Sequence, residues 1–261
     1  MKKLVVAGVA FVALAAGPAM AADMPVKAMP APIPGVNWSG IYVGLHGGGG
    51  WARTSYASDF NCAVGVLCEN ANIDGSGWVL GGQIGYRWQI NHVVLGAEIA
   101  AAAADINGNT GSTCTPGVNT CIGVPGGFDV KYKTTVNELG SATVQAGWAW
   151  DRWLWYAKGG YATGQIERQA NDVLGAPAAT FVSQFHNYGH GYTVGTGFEW
   201  AFSSIGSLAI EYDFYRLNAG AGVTTAASGT GVSAFTNVVG PLSADIHTLT
   251  LRLNLRFPGI L

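Results

Sequence analysis

From Trp38 onward, apolar and polar side chains alternate with a period of two, the mark of strands with one face in an apolar medium. The clearest run is Trp78 to Ile90. Trp78, Leu80, Gly82, Ile84, Tyr86, Trp88 and Ile90 share one face, and Val79, Gly81, Gln83, Gly85, Arg87 and Gln89 the other. At about 3.3 Å per residue and a tilt of about 40°, this stretch rises roughly 30 Å, enough to cross a lipid-facing band of about 25 Å. The phase recurs seven more times. Strand one turns Ile41, Val43 and Leu45 outward and Tyr42, Gly44 and His46 inward. Strand three (93–103) turns Leu95, Ala97 and Ile99 outward against Gly96 and Glu98, and strand four (140–150) Ala142, Val144, Ala146, Trp148 and Trp150 against Ser141, Thr143, Gln145 and Gly147. Strand five has Trp153, Trp155, Ala157 and Tyr161 outside and Tyr156, Lys158 and Gly160 inside. Strand six has Tyr192, Val194, Phe198, Trp200 and Phe202 against Thr193, Gly195, Gly197 and Glu199. Strand seven has Leu208, Ile210, Tyr212 and Phe214 against Glu211, Asp213 and Tyr215, and strand eight Leu249, Leu251, Leu253, Leu255 and Phe257 against Thr250, Arg252, Asn254 and Arg256.

The turns test these phases independently, because residues flanking a two-residue hairpin face the same side. Asn91-His92 sets Ile90 opposite Val93, and Asp151-Arg152 sets Trp150 opposite Trp153. A five-residue turn, Ser203 to Ser207, is expected to set Phe202 opposite Leu208. The remaining connections, 52–76, 105–128, 165–189 and 218–245, each read as loops of roughly 25 residues. Short turns at one end and long connections at the other are the asymmetry of an outer-membrane barrel. The sequence therefore predicts an all-β fold: an eight-stranded antiparallel up-and-down transmembrane β-barrel, with long extracellular loops, short periplasmic turns and both termini in the periplasm.

Which face meets water follows from the charges. Arg87, Glu98, Lys158, Glu199, Glu211, Asp213 and Arg252 all fall on the small, polar face, and the apolar face of the central strands carries none. A soluble barrel would turn that face inward the other way round, burying aliphatics and exposing charge. Leaving bare Lys and Arg against an apolar core costs several kcal/mol each. The seven charged residues are accordingly expected to form a network in the lumen, with Arg87, Lys158 and Arg252 pairing with Glu98, Glu199, Glu211 and Asp213. Tryptophans gather at strand ends: Trp38, Trp88, Trp148, Trp150, Trp153, Trp155 and Trp200 at the short-turn end, Trp51 and Trp78 at the other. They read as the aromatic girdles of the two membrane interfaces.

Composition agrees. Charged residues are 11% of the chain, against about 25% in soluble domains, and 39 of 261 residues are glycine, about twice the usual share. Past residue 21 there is no apolar run of the length a transmembrane helix needs. The formal charge of −2 offers no basic surface for nucleic acid. The N-terminus has the parts of a secretory signal peptide: Lys2 and Lys3, an apolar stretch from Leu4 to Ala16, Pro18, and Ala19-Met20-Ala21 as the cleavage signal. Domain boundaries are thus a signal peptide at 1–21, a proline-rich periplasmic linker at 22–37 with Pro25, Pro30, Pro32 and Pro34, and the barrel at 38–261.

The residues then reach a resemblance. Trp38-Ser39-Gly40-Ile41-Tyr42-Val43-Gly44 resembles the W-x-G-x-Y-x-G opening of the porin-like outer-membrane immunogenic proteins of α-proteobacteria, relatives of the OmpA-type eight-stranded membrane domain. The hairpin Gly147-Trp148-Ala149-Trp150-Asp151-Arg152-Trp153-Leu154 with Tyr156 and Gly159-Gly160 is similar to the family's G-Y-A-F-D-R-x-L-x-Y-x-x-G-G. Thr193-Val194-Gly195-Thr196-Gly197-Phe198-Glu199 with Glu211-Tyr212 is similar to its T-V-G-x-G-x-E…E-Y pair. The resemblance runs the length of the mature chain and implies a Gram-negative outer-membrane location. The arginines that members often carry inward on strand four stand here as Thr143 and Gln145, and the chain runs four residues past the aromatic Phe257, the kind of residue at which members usually end.

Chemistry is sparse. Cys62, Cys68, Cys114 and Cys121 lie in the first two long connections, and an oxidising compartment favours disulfides, with three possible connectivities. His186 and His190 sit before a strand, His92 in a periplasmic turn, and His46 and His247 are read as facing inward. No Ser-His-acid grouping, metal site or cofactor motif emerges, so no enzyme activity is expected. Eight strands enclose a cylinder that side chains fill. The expected role is structural or surface-interactive: a monomer among outer-membrane lipid and lipopolysaccharide, inserted by the barrel-assembly machinery, offering loops to host or surface ligands. The alternative is a narrow porin for small solutes, with Gly81, Gly85, Gly96 and Gly197 leaving space in the lumen.

Overall fold

A computed structural model describes residues 36–58, 69–114, 128–175, 178–220, 222–226 and 235–257. The expected signal peptide, the linker as far as residue 35, and Cys62, Cys68 and Cys121 lie outside these residues; Cys114 ends a strand. The strands are β1 (Gly40–Ser58), β2 (Glu69–Ile90), β3 (Val93–Cys114), β4 (Phe128–Trp150), β5 (Trp153–Gly175), β6 (Ala178–Ala201), β7 (Gly206–Ala219), β8 (Gly222–Ala226) and β9 (Phe235–Phe257). Each of β1 to β7 pairs antiparallel with the next, β7 pairs with β9, and β9 pairs with β1 to close the barrel. Eight strands span the wall. The short β8 continues the line of β7 along β9 in unbroken register, with Ala219 opposite Leu242 and Gly222 opposite Val239.

The stagger of this closure can be read from its pairs. From Trp51 the register passes to His247, Phe214, Val194, Gly159, Val144, Ala97 and Tyr86, and returns to β1 at Ile41, ten residues from its start. Eight strands with that shear tilt by roughly 40° from the barrel axis. On β2, Trp78 and Trp88 are also ten residues apart. At this tilt they stand about 25 Å from one another along the axis, the height of a lipid-facing band.

The inward and outward phases expected within this band hold on all eight strands. The two-residue turns do too: Asn91 and Asp151 take φ of 55° and 49°, a left-handed conformation that Asn and Asp tolerate best among non-glycine residues. The third turn differs by one pair. Trp200, not Phe202, lies opposite Leu208, and Ala201–Ser207 is the last pair. Ser203 tightens the loop because its Oγ accepts hydrogen bonds from the backbone N–H of Ile205 and of Gly206, leaving Phe202 outside the ladder.

The larger correction concerns the four long connections. Most of their length is strand. β5 and β6 run on until Gly175 faces Ala178, and β1 and β2 until Ser58 faces Glu69. The lipid-type alternation stops near Trp51 because the strands have left the lipid, and the pattern above it is the reverse. Ala52, Ile73, Ile106, Val136, Ile166, Leu217, Leu242, Ala244 and Ile246 point inward and are buried, while Arg53, Asp74, Asp105, Arg216 and Asn218 point outward and are exposed. On β4 a bulge between Val136 and Glu138 resets the phase so that Val136 faces the interior.

Candidate functional site

Two rows of three strands organise the lumen, and they are built alike. On β1, β2 and β3 the register aligns Tyr42, Gly85 and Glu98; on β5, β6 and β7 it aligns Tyr156, Gly197 and Glu211. In each row the tyrosine lies flat across the glycine and its hydroxyl donates to the carboxylate beyond, at 2.7 Å to Glu98 and 2.5 Å to Glu211. The central glycine is required: a β-carbon at Gly85 would stand 2.5 Å from the Tyr42 ring, and one at Gly197 would meet Tyr156 as closely.

The two glutamates are joined by two cations. Lys158 Nζ lies 2.7 Å from Glu211, 3.2 Å from Asp213 and 3.4 Å from Glu98. Arg252 lies 2.6 Å from Glu98 and also pairs with Glu211. Below this layer, Arg87 pairs with Glu199 at 2.8 Å, its guanidinium 4.3 Å from the centre of the Tyr42 ring. Ser207 and Asn254 donate to the same Glu199. The structure thus gathers all seven charged residues singled out from the sequence into one connected, buried set. It adds Arg256, so that four cations and four carboxylates are buried in the membrane-spanning part of the lumen. Gln145 and Gln83 complete it, Gln145 donating to the Tyr42 hydroxyl and Gln83 to Asn254.

The glycines do not leave open space. Gly85 and Gly197 lie under tyrosine rings; a β-carbon at Gly96 would meet Gln145 and Arg87, and one at Gly81 would meet β3 at Ala101 and Ala102. Above the charged layer, Val79, Leu139, Ala162, Ile166, Tyr215, Leu217 and Ile246 belong to one continuous apolar cluster. A cavity of about 20 Å³ remains between the layers, lined by His46, Ser141, Lys158, Glu211, Tyr215 and Thr248 among others. That is room for about one water molecule.

Trp38 departs from expectation. It is fully buried in the periplasmic end of the lumen, packed with Val94, Leu154 and Tyr156, and does not belong to the interface girdle. The chain before β1 turns into the barrel mouth: Gln89 accepts the Trp38 backbone N–H, Arg256 donates to the Asn37 carbonyl, and the Arg256 guanidinium lies 4.1 Å over the indole. The other eight tryptophans are exposed on the outer wall, Trp88, Trp148, Trp150, Trp153, Trp155 and Trp200 at the short-turn end and Trp51 and Trp78 at the far end. Trp153 stacks on Phe198 at 4.9 Å and Trp148 on His92 at 5.4 Å.

His247 also departs from expectation and faces outward. It stacks on Trp51 at 5.6 Å with an interplanar angle of 8°, and its Nδ1 meets the Tyr212 hydroxyl at 2.6 Å. His190 forms the same kind of pair with Tyr161, at 2.6 Å. His46 is inward, against Gln83. His186 lies 3.9 Å from Glu167 on the outer wall. Just above the Trp51 level the wall becomes charged. Arg53 pairs with Asp74 and Arg216 with Asp245, the latter through two hydrogen bonds of 2.6 and 2.7 Å. Hydrogen bonding from Arg216 holds the Asp245 carboxyl below the usual aspartate range, and bonding from Gln169 and Asn137 does the same for Glu167.

Sequence reading missed the tyrosines, Trp38 and Arg256. The signal for the tyrosines was present: once strands are aligned by their turns, Tyr–Gly–Glu falls on one row twice, four strands apart. For Trp38 and Arg256, only a contact between the entry to the first strand and the end of the last reveals the role.

The family described as an outer membrane protein beta-barrel domain matches residues 8–257. The 31 kDa outer-membrane immunogenic proteins of Brucella melitensis and Brucella suis are each 29% identical over 220 residues, covering 81% of this chain and 85% of theirs. Among solved structures, the outer membrane protease OmpT from Escherichia coli aligns over 84% of this chain and 97% of its own at 11% identity and a TM-score of 0.47. Ail, the attachment invasion locus protein of Yersinia pestis, aligns over 84% and 99% at 12% identity and a TM-score of 0.36.

Proposed function

This chain belongs to the outer membrane β-barrel family, a protein of the Gram-negative outer membrane, and from that premise we propose that it is a non-enzymatic, surface-exposed barrel whose lumen is filled by its own side chains. The observation that carries this reading is the double Tyr–Gly–Glu arrangement. It sets two rings across the lumen where glycines would otherwise open it, and ties them to a charge-balanced ion cluster. A conducting path would need free charge or ordered water along the axis, whereas here an apolar layer stands above the ions. The working surface is therefore outside. The charged row of Asp74, Arg53, Asp245 and Arg216, on the adjacent strands β2, β1, β9 and β7, stands toward headgroup height on one side of the barrel, suited to lipopolysaccharide of the same leaflet, and the strand extensions carry the connections beyond it toward host or surface ligands.

Planar-bilayer recording of the purified barrel tests the lumen reading. No stable steps are expected; nanosiemens open-channel steps would overturn it. A deletion strain, scored for detergent sensitivity, surface adhesion and solute uptake, tests the role: the first two are expected to change and uptake to stay level.

A further inference from the structure

The closed ladder does not reach the top of the barrel. Among the described residues, β2–β3 pairing ends at Gly75–Gly108 and β6–β7 pairing at His190–Asn218, although all four neighbouring lines of chain continue upward. On either side the other pairings run to the strand ends: β3–β4–β5–β6 as one sheet, β8–β9–β1–β2 as the other. The part outside the membrane is thus two four-stranded leaves, split along two opposed seams. The β6–β7 seam is clasped at its foot: Arg168 and Asn187, from one leaf, both donate to the Gly220 carbonyl at the end of β7, at 3.3 and 3.2 Å. At the β2–β3 seam the last pair is two glycines, and above it each strand runs six residues further, Glu69 to Asp74 on β2 and Asn109 to Cys114 on β3.

We propose that the β2–β3 seam accepts an extended polypeptide segment from outside the cell, added as a strand antiparallel to β3. A strand edge presents a row of backbone N–H and C=O groups whose complement is another extended backbone. Protein edges exposed for long are guarded by proline, lysine or a bulge. Neither six-residue edge contains proline or lysine, and β3 there carries no charge at all. Both charges on the β2 edge are negative; Asp74, at its foot, already pairs with Arg53, and Glu69 leaves the upper part of the edge acidic in sequence, so a strand bearing basic side chains is favoured. A second copy inserted the same way presents its own β3 edge running in the same direction, so β3 cannot pair antiparallel with its own counterpart.

The test is amide hydrogen exchange by NMR on the full barrel in lipid nanodiscs, with the blocked heptapeptide Thr-Lys-Val-Thr-Lys-Val-Thr as probe. In its absence, alternate amides of 109–114, those directed away from β4, should exchange fast while their neighbours are protected. Adding the peptide should slow the fast set at least tenfold and leave 131–133 on β4 unchanged. A peptide of equal charge with proline at alternate positions, unable to donate, should have no effect. The proposal is overturned if all amides of 69–74 and 109–114 are slow without peptide, since the seam is then closed. It also fails if the lysine peptide changes nothing, or if the proline peptide protects equally. None of these outcomes bears on conductance, so the lumen reading stands or falls separately.

Discussion

Tyr42 crosses Gly85 to reach Glu98: three residues on three strands form one row, with the middle position left without a side chain so that the outer two can touch. The fold repeats the device at Tyr156, Gly197 and Glu211, half the barrel away. Glycine here is a packing choice that admits a large neighbour, the reverse of a gap.

Gly85→Ala should therefore be destabilising although it adds only a methyl group inside a membrane barrel. Tyr42 cannot withdraw without giving up Glu98, so the expected loss is about 1–3 kcal/mol, the range for overpacking a filled core. Urea unfolding followed by the mobility difference of folded and unfolded barrel on gels measures it. An unchanged midpoint would show that the ring has room to move.

Lys158→Met leaves Glu98, Glu211 and Asp213 facing Arg252 alone. Removing one partner from a buried ion set costs about 3–5 kcal/mol. Because Asp213 among the three carboxylates pairs with Lys158 but not with Arg252, adding Asp213→Asn should recover part of that loss. The same unfolding assay on the double variant decides: additive losses would mean that the two residues are not coupled.

Trp38→Ala should cost about 3–5 kcal/mol, as large aromatic truncations in packed cores do, whereas Trp88→Ala on the lipid face should cost less. Sequence position alone treats the two alike as strand-end tryptophans. Comparing their unfolding midpoints separates a lumen residue from a girdle residue.

The Asp245 carboxyl, held low by Arg216, makes a pH-dependent contribution outside the membrane. A depressed folded value means that the unfolded chain binds the proton more readily. The stabilisation is complete above the ordinary aspartate value of about 3.9 and fades as pH falls through the lowered one. The stability difference between the natural chain and Asp245→Asn should accordingly be present at pH 7 and shrink toward zero as pH falls through the lowered value. A difference that grows on acidification would contradict the assignment.

How much could be read from the sequence follows from the solvent around each segment. Between the girdles, lipid outside and packed side chains inside impose a period of two that a single strand displays without its neighbours, as Leu249 to Phe257 does. Its charged positions then fall on the lumen face by parity alone. Above the girdle the outer face meets water, so Ile73, Leu217 and Ile246 turn inward, and a search for outward aliphatics finds nothing there. Glycine- and threonine-rich stretches such as 107–114 look like loop for that reason, although they are strand. Contacts across the ring, Arg256 with Trp38 above all, depend on closure and stagger, which no single segment encodes.

The reversal of pattern near Trp51 also fixes how deep the molecule sits. Sinking the barrel by one outward position would draw Asp245 and Arg216, the lower end of the charged row, into hydrocarbon, where a cation at the midplane costs about 2–4 kcal/mol and less toward the surface. Raising it by the same step would pull Trp88, Trp148 and Trp155 off their interface and lift bare leucine and valine into water at the other. Each displacement is resisted by residues from several strands at once. The chain thus carries its own waterline, written on the outer wall, and any segment grafted onto the strand tips would be held at a set height above the membrane.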